Sequence, residues 1–337
     1  MVNHVVDNDV LDHYYLKLRN NCYAVVVGNA HSAGYVVGYQ KYCAGSRQVG
    51  PWHDSLNRYR RLVPIYDPVI VHESTPWRTY IHSFGCLSPI IPRDKIIAIY
   101  DPIQRTYGLI YHPRDRLEVV ALELIDTIKM YAGNVSIGIT GSVLVGIHSP
   151  GMSDIDLVVY GWRDSLKVIE ALSETVGRRG IVRAFNEYEL ALWSKRLEEQ
   201  LGISREAIRK YFYRPWRRGK VEGIDYSIIY NDGVARSLDL MEPWKNARYV
   251  RARICVENHQ LSALNYPSEA LIHKYEFLQG RKYELRTITS FEALYIPFLY
   301  EGGCAIVEGL LQRSSWYGDY RVVLGVYEHR GKLVPVI

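Results

Sequence analysis

No run of about 18 apolar residues occurs in this chain of 337, so a membrane-spanning helix is not expected. The opening Met1-Val2-Asn3-His4-Val5-Val6-Asp7 lacks the basic-then-apolar order of a secretory signal, and the expected location is the cytoplasm. Cysteine is scarce and odd in number: Cys22, Cys43, Cys86, Cys255 and Cys304, with no Cys-x-x-Cys and no paired histidines. That pattern argues against zinc and leaves buried free thiols as the expectation. Phenylalanine is nearly replaced by tyrosine, 6 against 28, which serves as an amphipathic core residue and can also stack on bases. Internal repeats, low-complexity segments and long linkers are absent. Hydrophobic residues at 48% can fill packed cores, and 23% charged residues is ordinary for a soluble protein. A net charge of +5 permits an anionic partner without requiring one.

One stretch carries chemistry. Gly138-Ile139-Thr140-Gly141-Ser142 offers a Gly-Ser turn after a short apolar run, and Ser153-Asp154-Ile155-Asp156-Leu157-Val158-Val159 reads as a buried strand. Residues two apart on a strand share a face, so Asp154 and Asp156 project together while Ile155 and Leu157 point into a core. Two like charges so close are best tolerated with a cation between them, and oxygen ligands suit Mg²⁺. The Gly141-Ser142 turn complements the pair. It lets backbone approach a triphosphate, and amides at the start of a following helix, expected to run to about Ile147, favour an anion.

Thr140-Gly141-Ser142, eleven residues, then Asp154-Ile155-Asp156-Leu157 resembles the signature of the polymerase-beta-like nucleotidyltransferase superfamily, with Thr140 as a mild departure at the leading apolar position. Together with the Gly-Asn-Ala-His turn at Gly28, the Gly38-Tyr39-Gln40-Lys41-Tyr42 strand and the Arg58-Tyr59-Arg60-Arg61 patch, the order also resembles a group of archaeal predicted nucleotidyltransferases. The match is strongest over residues 135–232. The resemblance implies an α+β fold with a mixed-sheet catalytic domain, and two Mg²⁺ or Mn²⁺ ions held by Asp154, Asp156 and a third acid on a later strand. It also implies transfer of a nucleoside monophosphate from an NTP to a hydroxyl, RNA being the foremost acceptor, with release of pyrophosphate. A protein or small-molecule acceptor is the alternative, and a non-catalytic RNA- or NTP-binding module the second.

Asp225, in Gly223-Ile224-Asp225-Tyr226-Ser227, is the best match to the third acid. Asp232 is the fallback, although Asn231-Asp232-Gly233 is a turn sequence in its own right. Gly141 and Ser142 are expected at the phosphates. A basic stretch runs into Asp225: Arg205, Arg209, Lys210, Arg214, Arg217, Arg218 and Lys220, interleaved with Tyr211, Phe212, Tyr213 and Trp216. Of these, Arg217, Arg218 and Lys220 are the candidates for nucleotide binding, with the aromatics available to stack on RNA. His148 is read as a surface loop residue rather than a general base.

Three regions are expected: a β-rich region over 1–112, a catalytic domain over 113–247 and a β domain over 248–337. In the first, Tyr23–Gly28 and Gly34–Tyr39 read as a hairpin, residues 46–54 as a loop, Arg58–Arg61 as a solvated surface patch, and Val69–Val71 and Ile96–Tyr100 as extended segments. In the second, helices are expected over residues 115–133, over 166–176 with Gly177 as stop, over 187–200, and from Ser204. In the third, alternating segments at 251–256, 285–289, 291–296, 305–311 and 320–327 suggest a small antiparallel barrel or sandwich, an OB-like barrel being one form of it.

Overall fold

The structure is a computed structural model and describes residues 10–45, 50–175, 182–279 and 282–336. The opening heptapeptide, the start of the 46–54 loop and the Gly177 helix stop lie outside the described residues. Strand alternation in the first region builds β1 (Tyr15–Leu18), β2 (Cys22–Val26), the short β3 (Ala30–His31) and the long β4 (Tyr35–Ala44). Next come β5 (Trp52–His53), β6 (Arg58–Arg61), β7 (Arg78–Ile81), β8 (Cys86–Pro92) and β9 (Ile96–Tyr100). Eight of these strands form a half-barrel in the order β5-β6-β4-β2-β1-β9, with β8 on the other half of β4 and β7 beyond it. The expected hairpin is thus present as β2 and β4.

Val69–Val71 is not extended. It lies in helix α1 (Pro68–Glu73), because Asp67 accepts from the Val69 and Ile70 amides and Pro68 occupies the first turn, where its missing N–H costs nothing. The same Asp-Pro device starts α2 (Pro102–Tyr111). This helix packs on the strand that carries Ile139, whose amide donates to Thr106 Oγ1.

Helix α3 (Arg116–Ala132) runs from its Asp115 cap to Gly133, as the periodicity indicates. It leads into β10 (Ile137–Thr140), the single turn α4 (Gly141–Leu144), β11 (Ile155–Tyr160) and α5 (Trp162–Thr175). Then follow β12 (Val182–Arg183), α6 (Glu187–Leu201) with an Asn186/Glu189 capping box, α7 (Arg205–Ala207), β13 (Arg218–Val221), β14 (Ile224–Asn231) and β15 (Arg236–Ser237). The sheet order is β10-β11-β14-β13-β12, with β11 and β14 parallel and the other pairs antiparallel. Ile137, Ile139, Ile155, Leu157 and Val159 bury one face in a common core with α3 and α5. The opposite face carries the polar residues.

The first strand of the barrel begins at Trp244. Strands β16 (Trp244–Val256), β17 (Ser268–Phe277), β18 (Leu285–Ser290), β19 (Gly303–Ser314) and β20 (Tyr320–Leu324) close a barrel in the order β16-β17-β18-β20-β19 and back to β16. β18 and β20 run parallel, so the barrel is not wholly antiparallel. Residues 291–296 form no strand; they turn into α8 (Ile296–Glu301) between β18 and β19, and β21 (Lys332–Pro335) extends the sheet along β19. Among the described residues no helix is long and apolar enough to cross a membrane.

The cysteines differ from expectation. Antiparallel register sets Cys22 opposite Cys43 and Cys255 opposite Cys304, and both pairs are disulfide-bonded. Cys86 alone is a buried free thiol.

Candidate active site

Asp156 is the second residue of β11 and pairs in register with Thr140, the last residue of β10. The chain must then pass the Asp156 carboxylate. A Cβ on Gly141 would lie 2.5 Å from Asp156 Oδ2, and the Gly141 φ of +69° is one that L side chains rarely adopt. Glycine is therefore required by contact and by conformation. Its helix, however, is one fully buried turn that stops at Leu144 instead of reaching Ile147, so it carries little dipole. Ser142 is buried and donates to Ser153 Oγ at 3.4 Å, tying the turn to the loop before Asp154.

Asp154 and Asp156 stand on one face, as the alternation requires, and their environments differ. Repulsion from Asp156, followed by burial, pushes the Asp154 carboxyl up to about 6, against the pull of Lys41 and Arg61. Burial would also raise Asp156, but Lys41, a hydrogen bond from Ser227 Oγ at 2.5 Å, Arg61 and His13 together hold it below the usual carboxylate range. One acid is held charged and its neighbour bears the repulsion.

The two cations come from the half-barrel. Its tyrosine-rich face, with Tyr15, Tyr23, Tyr42 and Tyr59, packs on Leu144, Val145 and Ile147 beside the turn. Lys41 on β4 and Arg61 on β6 thereby face the aspartates; Arg61 Nε is anchored on the Val63 carbonyl at 2.9 Å. Arg58–Arg61 is thus not simply a surface patch, since Tyr59 is fully buried and Arg61 is turned to the acids. The Tyr15 hydroxyl is buried with no hydrogen-bond partner among the described residues, and burial followed by Asp156 raises its pKa well above normal. Sequence reasoning missed Lys41, Tyr15 and Ser227. Ser227 was within reach, being two residues beyond Asp225 on the same strand face; the facing of Lys41 depends on how one sheet docks on another.

Asp225 shares a cleft of about 340 Å³ with Asp154 and Lys220. Its carboxylate is bound to Lys220 Nζ at 2.7 Å, its neighbour across β13–β14. Among the described residues no three acidic, histidine or cysteine side chains converge on one point. Asp154 and Asp156 nonetheless suit a divalent ion: two close oxygen donors, with Asp154 destabilised as an anion by its neighbour, match the one or two carboxylates that Mg²⁺ takes. Asp232 is elsewhere, accepting from Asn29 Nδ2 at 2.9 Å where the half-barrel meets the sheet.

Much of the basic stretch is neutralised internally. Arg205 pairs with Glu198, Arg209 with Glu187 and Arg214 with Glu301, while Phe212, Tyr213 and Trp216 are buried and not open to stack on RNA. Arg217 is buried on the Ile228 carbonyl, and Arg218 pairs in register with Ser227. His148 is buried, not on the surface, with Nε2 2.8 Å from Asp115 Oδ2 at the start of α3.

No protein-family model matches the chain, and comparisons with curated proteins and with solved structures find no match.

Proposed function

We propose that the protein is a metal-dependent nucleotidyltransferase of the polymerase-beta-like kind. The observation that carries this reading is the aspartate pair at the start of β11, Asp156 pressed against the Gly141 turn and bonded to Ser227, with two half-barrel cations facing the acids. Asp154 and Asp156 would hold Mg²⁺ or Mn²⁺, and Asp225 is the candidate third ligand. A bound divalent ion supplies Lewis acidity and makes the attacking hydroxyl easier to deprotonate.

The chain's own groups do the rest. Lys41 and Arg61 are placed to neutralise a triphosphate, and the close backbone at Gly141 keeps Asp156 fixed while charge moves. The acceptor oxygen bonds the α-phosphorus, the bond from that phosphorus to the bridging oxygen breaks, pyrophosphate leaves with the bond's electrons, and the hydroxyl proton passes to water. The ring β16-β17-β18-β20-β19, with its parallel β18–β20 pair and its helix between β18 and β19, has OB-fold connectivity, which supports an RNA acceptor.

The test is incubation with each labelled NTP, Mg²⁺ or Mn²⁺ and total cellular RNA, beside the Asp154→Asn/Asp156→Asn variant. Label entering RNA with the wild type alone is expected. Transfer by the folded double variant, or no transfer by the wild type to any acceptor, would sink the reading.

A further inference from the structure

Three adjacent strands carry one row across the polar face: Asp156 on β11 stands beside Ser227 on β14, which stands beside Arg218 on β13. At ~4.8 Å per strand, the Arg218 backbone lies ~10 Å from that of Asp156. Arg218 and Ile229, the next residue on the Ser227 side of β14, line a cavity of about 680 Å³. Its walls include Tyr66 from the first region, Trp193 and Leu197 from α6, and Leu294 from the barrel, so every region contributes. The volume lies within the ~300–1,000 Å³ range of small-molecule sites.

The charges in this cavity are unequal. Arg330 is neutralised by Glu292 and Asp67, and Arg214 by Glu301. Among the described residues, Arg217 and Arg218 have no carboxylate within ion-pair distance. Arg217 is only 7% exposed and donates through Nη1 to the Ile228 carbonyl at 3.0 Å, a contact that leaves its charge uncompensated. Burial, with the Arg218 charge adding to it, pulls its pKa down to about 9. A buried cation without a counter-ion is costly, and an entering anion relieves that cost. The apolar walls beside it suit a flat, weakly polar group.

Direction matters as well. In-line displacement places the attacking and leaving oxygens on opposite sides of phosphorus. With the triphosphate on the half-barrel cations, the attack comes from the β14–β13 side, where this cavity lies. Resting on the nucleotidyl-transfer reading, we propose that the cavity is the acceptor subsite and takes one nucleotide unit, its base against Trp193, Leu197 and Ile229 and its phosphate on Arg217 and Arg218. That unit is either a free nucleotide or the terminal residue of an RNA strand; the chemistry recognised is the same.

The experiment is calorimetric titration of the full chain with the four nucleoside 5′-monophosphates, and with a short oligoribonucleotide whose 3′ end is free or phosphate-blocked. Arg218→Gln and Leu197→Trp should each weaken binding by about tenfold, and Lys41→Gln by no more than about twofold. Arg218 is only partly buried, so its variant keeps the fold even if the filled cavity does not. Preference for the free monophosphate or for the unblocked oligoribonucleotide identifies the source. Binding of neither probe, binding indifferent to Arg218→Gln, or binding lost in Lys41→Gln would overturn the subsite. Two results separate this inference from the reading beneath it. Probe binding that needs Arg218 in a protein that transfers no label leaves the subsite standing and removes the transferase. Transfer at full rate by both cavity variants does the reverse.

Discussion

At the scale of single residues, the aspartate pair and His31 obey the same rule in opposite directions: surroundings decide which protonation state the fold accepts. Asp156 is held charged by Lys41, Ser227 and Arg61, while Asp154 bears the repulsion. His31 is held neutral. Its Nδ1 accepts the Val37 amide at 3.2 Å and its Nε2 meets the Val10 carbonyl at 3.1 Å, which fixes the Nε2–H tautomer. Burial, with Arg93 adding to it, pushes the ring down to about 4. An unfolded histidine titrates near 6.5, so this stability is complete above about pH 6.5 and falls as pH drops toward 4. The loss approaches ~3 kcal/mol at the acid end. Urea unfolding at pH 7.5 and pH 4.5 should therefore show a markedly larger acid loss in the wild type than in His31→Gln; equal losses would refute the assignment. The aspartates were legible because alternation on a strand fixes their common face. His31, between Asn29-Ala30 and Ser32-Ala33 in what reads as a turn, was not, because its burial arises from contacts distant in sequence.

Secondary elements were legible where their ends carry chemistry. Helix α3 lies between its Asp115 cap and Gly133 as read, and α6 runs to Leu201, one residue past Gln200. Val69–Val71 was misread because three β-branched residues suggest a strand, yet Asp67-Pro68 starts a helix just before them. The disulfides belong to this scale too, since each joins two strands of one sheet, β2 to β4 and β16 to β19. Their sequence separations of 21 and 49 residues correspond, in the chain-entropy account, to ~3 and ~4 kcal/mol. Thiol titration in guanidinium should find one group before reduction and five after, and reductant should lower the melting temperature clearly. Five thiols without reductant would disprove both bonds. In the native protein Cys86 should stay unreactive near neutral pH, because burial pushes its thiol up to about 12. Such bonds persist in oxidising compartments or in hyperthermophile cytosol, and they bear directly on where the protein resides.

Over the whole molecule, no region is independent. One hydrophobic core runs from α3 through the five-stranded sheet to Leu333 beyond the barrel, and the half-barrel is clasped to that sheet by β3–β15 pairing, by Asn29 on Asp232 and by Thr140 Oγ1 on the His13 carbonyl at 2.7 Å. Calorimetry and circular dichroism should therefore report one coincident unfolding transition. Two well-separated transitions would mean that these contacts couple the regions only weakly.

The sequence by itself determined the local facts: the aspartates sharing a face, the glycine turn beside them, the capped helices and the β-rich flanks. These depend on spacing, backbone sterics and capping, all contained within a few neighbouring residues. Only the tertiary structure decided that Lys41 and Arg61 face the acids, that Asp225 is tied to Lys220, that most of the basic stretch is neutralised internally and that four cysteines pair. Each of those outcomes depends on strand register or on the docking of one sheet against another. Those are set by burying the most apolar surface over the whole chain, a sum that no local stretch contains.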